Sequence, residues 1–125
     1  MAFIEYNPNP IQRQVGDCSV RAITKALDID WDSAYVLLVT NGLLMGDMPS
    51  ADSVWGSVLR QHGFTKHLCP DCYTVAYFTQ KNTEGIYVLA LGGHVVTVVD
   101  GDYYDSWDSG NETIIYYWSR KEKSK

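Results

Sequence analysis

The chain has 125 residues, 46% of them hydrophobic, and a formal net charge of -5. That length is one domain, residues 1-125, and that apolar content builds a core without staples, which excludes a disordered segment. The acidic balance excludes nucleic acid as the expected partner, because no basic surface offsets phosphate repulsion.

The basic run Arg120-Lys121-Glu122-Lys123-Ser124-Lys125 reads as a frayed tail. No apolar run reaches the length that crosses a bilayer, so no membrane partner is expected. The first ten residues carry Glu5 and lack the apolar stretch of a signal peptide. Three cysteines are an odd number for a disulfide framework. A reducing, cytoplasmic setting with free thiols is the expectation.

Residues 1–10 read as extended, with turns at Asn7-Pro8-Asn9-Pro10. Gly16 and Asp17 then make a turn and an N-cap, and Ala22, Ile23, Ala26 and Leu27 recur at helical spacing. Asp30 caps a second helix with Trp31, Ala34, Tyr35 and Leu38 on one face and Gly42 as its stop. Leu43 to Pro49 reads as a loop bordering a cleft. Ser50 caps a third helix carrying Val54, Trp55, Val58 and Leu59, with Gly63 as the C′ residue after His62.

Residues 64–72 read as irregular or a short strand, and Thr74 to Lys81 as a short helix burying Val75 and Phe78. From Gly85 the pattern turns to strands. Ile86–Leu91 is buried on both faces, Gly92-Gly93 is a turn, and His94–Val99 is the next strand. Asp100-Gly101 is a hairpin turn, Asp102–Trp107 a third strand, and Thr113–Trp118 a fourth. Helices first and an antiparallel meander second predict an α+β domain with the helices on one side of the sheet.

Cys18 opens the first helix, where unpaired backbone N–H groups and the dipole favour a thiolate. His94 opens one strand of the meander. Asp105 closes its neighbour, and counting back from the hairpin puts the two about 5 Å apart at the backbone. A cysteine nucleophile needs a base beside the sulfur, a group that orients the imidazole, and donors for the oxyanion. Asp108 is a rival orienter, and Gln12 and Gln14 are rival donors.

A cysteine on the first turn of a helix, then a histidine on a strand and Asn or Asp on the next, resembles the papain-like cysteine peptidases. Gln12 lies six residues before Cys18, as the oxyanion-hole glutamine does in that superfamily. Asp105-Ser106-Trp107 is similar to its orienting residue followed by a small residue and Trp. The segment from Gly92 to Gly101 looks like the histidine strand of the compact bacterial branch that includes domains processing double-glycine leader peptides.

The resemblance spans residues 12–118 on short motifs. Val15-Gly16-Asp17 departs from the small-residue, Cys-rich run of papain, and the chain is much shorter. The resemblance implies a bacterial or phage hydrolase of a peptide, isopeptide or amide bond. In it, Cys18 is the nucleophile, His94 the acid–base, Asp105 the orienter, and Gln12 with the Cys18 N–H the oxyanion hole. Gly93 and Trp107 then contact the substrate, and no cofactor is needed. The alternative is a fold of this type that has lost catalysis and grips an extended peptide. A third possibility is an interaction module stabilised by metal at His67-Leu68-Cys69-Pro70-Asp71-Cys72, but Cys69 and Cys72 make only half of a zinc site, so no metal is expected.

Overall fold

The computed structural model describes residues 2–69 and 73–120. Its elements in chain order are β1 (Phe3–Glu5), α1 (Cys18–Leu27), α2 (Trp31–Met45), α3 (Asp52–Gln61) and β2 (Thr65–Leu68). Then come α4 (Val75–Lys81), β3 (Ile86–Leu91), β4 (His94–Val99), β5 (Asp102–Asp105) and β6 (Tyr116–Arg120). The class is α+β. No helix among the described residues is long and apolar enough to cross a membrane.

The six strands form one sheet in the order β1-β5-β4-β3-β6-β2. β3, β4 and β5 are the expected meander, with Asp100 and Gly101 both at positive φ in the hairpin turn. Two features differ from the expectation. The last strand begins at Tyr116 and returns to pair with β3, on the side away from β4. β1 runs parallel to β5, which makes the sheet mixed.

The helices do not all lie on one side. Alternate residues of the central strands feed two separate cores. Val88, Ala90 and Val95 pack with Ile23 and Ala26 of α1, Leu38 of α2 and Val54 and Leu59 of α3. Leu89, Leu91, Val96 and Val98 point the other way and pack with Val75 and Phe78 of α4 and with Ile114. Strict alternation over strands buried on both faces requires a cover on each side, and α4 supplies the second. Each large side chain buried in these cores contributes roughly 1.5–3 kcal/mol.

α2 continues past Gly42 and ends at Gly46, whose φ of 69° suits a left-handed C-cap. Gly42 serves close approach: a Cβ there would lie 2.8 Å from the Asp47 carbonyl oxygen, where the chain doubles back. Ser50 does not cap α3. That position falls to Ala51, while Asp47 accepts from the Ser53 hydroxyl at 2.7 Å. On α2 only Ala34, Leu38 and Gly42 are buried, and Tyr35 is exposed. α1, in contrast, is buried along most of its length and is tied to β4 where Thr97 Oγ1 donates to the Ala22 carbonyl at 2.8 Å.

Candidate active site

The first turn of α1 carries Cys18, half-buried and free. Asp17 holds the N-cap position, but its side chain makes no cap bond. One oxygen instead accepts from Arg21 Nη1 at 2.7 Å and the other from Trp31 Nε1 at 2.9 Å. Asp17 is therefore drawn from the helix end into a buried polar seam.

His94 starts β4 directly after Gly93, an exposed turn residue with φ 70°. The register pairs Val99 with Asp102 and Thr97 with Tyr104. Extended by one residue, it sets Asp105 opposite Val96. His94 and Asp105 are thus diagonal neighbours, two residues off the near match expected from counting. Their side chains close the gap: His94 Nε2 lies 2.7 Å from Asp105 Oδ2.

Asp105 is fully buried and its four acceptor positions are filled. Oδ2 takes His94 Nε2 and the Ser109 hydroxyl, and Oδ1 takes Arg21 Nη2 at 3.1 Å and the Ser106 N–H at 2.8 Å. Asp108 is occupied elsewhere, by the Tyr103 hydroxyl and the Gly110 N–H. Between the two rivals, Asp105 is the one that bonds the histidine.

With Nε2 committed to Asp105, the remaining ring nitrogen, Nδ1, is the one available to the Cys18 thiol, and the two groups shift each other's ionisation. Burial alone pushes the thiol pKa up. The His94 hydrogen bond and charge, the Val95 backbone and the Arg21 charge outweigh it, and the net shift is down. Burial pulls His94 down, but hydrogen bonds to Asp105 and Cys18 and their charges raise it to about 9. Asp105 is pushed up by burial and brought below the usual carboxylate range by His94, Ser109 and the Ser106 N–H. These directions favour a thiolate–imidazolium pair near neutrality.

Trp107 stacks on the His94 ring, centroids 5.0 Å apart and planes 30° apart. It is 46% exposed, so it covers the imidazole on one side and meets solvent on the other. Gln12 is not drawn into this group. It sits in an exposed loop at φ 57°, and its Nε2 donates to the Asn7 and Asn9 carbonyls at 3.3 and 3.0 Å. Gln14 is also exposed. The six-residue spacing to Cys18 was readable; the loop that captures the amide was not.

A cleft of about 280 Å³ adjoins Asp17, Ser19 and Val20 without being lined by Cys18, and its mainly apolar walls include Val15, Gly16, Trp31, Tyr35, Leu38 and Pro49. The expected cleft border at 43–49 thus contributes Pro49.

The second candidate cluster does not assemble among the described residues. His62 Nδ1 lies 2.8 Å from the Val58 carbonyl at the end of α3, and His67 Nε2 lies 2.9 Å from the Ser119 hydroxyl. Cys69 is half-buried, with its thiol pushed up by burial. Cys72 lies outside the described residues. No group of three or more His, Cys, Asp or Glu suited to a metal occurs among the described residues.

Sequence reading assigned Arg21 and Ser109 no role at the site and Asp17 only that of an N-cap. Asp17 and Arg21 stand at i and i+4, a legible pair on a helix face. The bond from Arg21 to Asp105 spans 84 residues, and no local pattern signals it. The chain matches no family model, no curated protein and no solved structure.

Proposed function

We propose that the chain is a papain-like thiol hydrolase that cleaves a peptide, isopeptide or related amide bond through Cys18, His94 and Asp105. The observation that carries this is the His94 ring, held by Asp105 at 2.7 Å on Nε2, with the Cys18 thiol as its other electrostatic partner. Three distant chain segments supply the three groups a thiol acyl transfer requires.

The Cys18 thiolate attacks the carbonyl carbon, and the oxyanion develops beside the first turn of α1, where backbone N–H groups lack helical partners. The C–N bond breaks as the His94 imidazolium gives its proton to the leaving amine. Water then attacks the thioester and passes a proton to His94, and the thiolate departs. Asp105 holds the imidazole in the orientation both proton transfers use. Trp107 limits water on one side of the ring. Gln12 serves as second oxyanion donor only when its amide leaves the Asn7 and Asn9 carbonyls. Gly93 and Trp107 border the place where the scissile bond lies, and a reducing cytoplasmic compartment suits a free nucleophilic thiol.

A second reading, peptide binding without turnover, is favoured by that captured Gln12 amide, which leaves the hole one donor short. A peptidyl acyloxymethyl ketone, which transfers its carbon to an active-site thiolate, tests the first reading. Wild type is expected to label at Cys18, and Cys18→Ala and His94→Ala are expected to stay folded and unlabelled. Equal labelling of wild type and Cys18→Ala removes the hydrolase reading. Labelling without hydrolysis of any peptide amide in a substrate library supports the binding module.

A further inference from the structure

We propose that Arg21 is a positioning residue of this site: a buried strut that fixes the turn bearing Cys18 against the strand end bearing Asp105, and through Asp105 sets His94 over the sulfur. The inference rests on the hydrolase reading above and adds a residue that touches none of the reacting atoms.

Arg21 is 5% exposed, on α1 one turn beyond Cys18. Nη1 reaches Asp17 Oδ1 at 2.7 Å and Nη2 reaches Asp105 Oδ1 at 3.1 Å. The far side of Asp17 is pinned by Trp31 Nε1, and the far side of Asp105 by His94 and Ser109. A continuous chain of hydrogen bonds therefore runs from Trp31 through Asp17, Arg21 and Asp105 to His94. Neither carboxylate can swing without breaking a second bond.

Holding α1 on the sheet does not require this. Ile23 and Ala26 already pack there, and Thr97 bonds the Ala22 carbonyl. A buried ion pair roughly breaks even against apolar replacements, because desolvating the charges cancels their attraction. Three buried ionised groups at one end of an otherwise apolar interface are thus poorly explained by packing. The planar guanidinium fork is suited to spanning two carboxylates at once, whereas an ammonium is a single point of charge.

Arg21 also bears on ionisation. Its charge faces the Cys18 thiol and helps to lower it. The charged and titratable groups around the pair are Asp17 from the N-cap position before α1, Arg21 from α1 and Asp105 from β5. Tyr6 also faces Arg21, and Asp108 faces Asp105.

The test is the pH profile of Cys18 alkylation by iodoacetamide, in which the thiolate sulfur bonds the methylene carbon and iodide leaves. It is run beside thermal melts on wild type, Arg21→Lys and Asp17→Asn. Arg21→Lys keeps the charge and loses the fork. Its acid limb is expected to move up by about one pH unit, roughly a tenfold slower reaction below the limb. Asp17→Asn discriminates by sign and stands in should Arg21→Lys fail to fold. Loss of an anion beside the thiol, acting through charge alone, moves the limb down; loss of the strut moves it up. A limb that moves down or stays in Asp17→Asn overturns the proposal. So does an Arg21→Lys protein with a lower melting temperature and an unchanged profile. A wild-type Cys18 that titrates like a free cysteine defeats the hydrolase reading instead, and that result is read before any variant is made.

Discussion

The two faces of the sheet are covered in different chemical styles. On the α4 face, Val75, Phe78, Leu89, Val96, Val98 and Ile114 meet in one apolar cluster. At the sheet end where β4 begins, beside the N-terminal turn of α1, the apolar packing gives way to Asp17, Arg21, Asp105 and His94, of which all but His94 are buried. Burying charge is costly unless every group is paired, and here each is. The contrast separates what the fold needs from what the site needs. On the proposed reading, the α4 face serves stability and the polar seam serves the orientation of an imidazole.

The sharpest way to break that contrast is at the sulfur. Cys18→Ala is expected to abolish labelling by the acyloxymethyl ketone while the denaturation midpoint stays near wild type, read by mass spectrometry and urea titration.

On the opposite face the pattern inverts. Phe78→Ala empties a fully buried ring site in the second core and is expected to cost about 3–5 kcal/mol in urea unfolding. The Cys18 alkylation profile of the protein that remains folded is expected not to move. A shifted profile means the two faces are coupled and the separation drawn above is false.

Asp105→Asn sharpens the seam side. An amide cannot hold the imidazolium as a carboxylate does, so His94 falls from about 9 toward its ordinary 6.5. The upper pH limit for turnover is expected to fall with it, measured as the basic limb of kcat/KM on any substrate found. The same shift governs stability. His94 has a folded pKa above its unfolded one. Its contribution is fully present below pH about 6.5 and is lost as pH rises through about 9. The stability gap between wild type and His94→Gln is expected to close across that interval in melts recorded at stepped pH.

The smallest effect belongs to the outer side of α2. Leu43 and Leu44 are each 80% exposed, and Leu43→Glu is expected to change unfolding free energy by no more than about 0.5 kcal/mol.

Much of the site was legible because local chemistry marks it. Gly16-Asp17 announces the helix that begins at Cys18, and Gly92-Gly93 and Asp100-Gly101 bracket the strand that begins at His94. Hairpin counting brought Asp105 to the neighbouring strand and missed only the two-residue diagonal offset. What stayed hidden depends on long-range pairing. Nothing near Tyr116 says that the last strand crosses back to β3, and nothing near Val75 says that α4 covers the face opposite α1. Gly42 read as a stop because a helix end and a tight crossing ask for the same residue. Gln12 matched by spacing, yet the Asn7–Asn9 loop takes its amide. Arg21 carries no local signal of its role, because its second carboxylate lies on β5.

The three-residue β1 has a practical corollary. Glu5 lies in register with Asp105, and the Tyr6 N–H donates to the Asp105 carbonyl at 2.8 Å. Trimming the front of the polypeptide by five or six positions strips the ladder from β5 and leaves a bare border that invites neighbouring molecules to add their own strand. An expression design that clips or crowds this end therefore risks clumped material in which Asp105 has lost its backbone anchor.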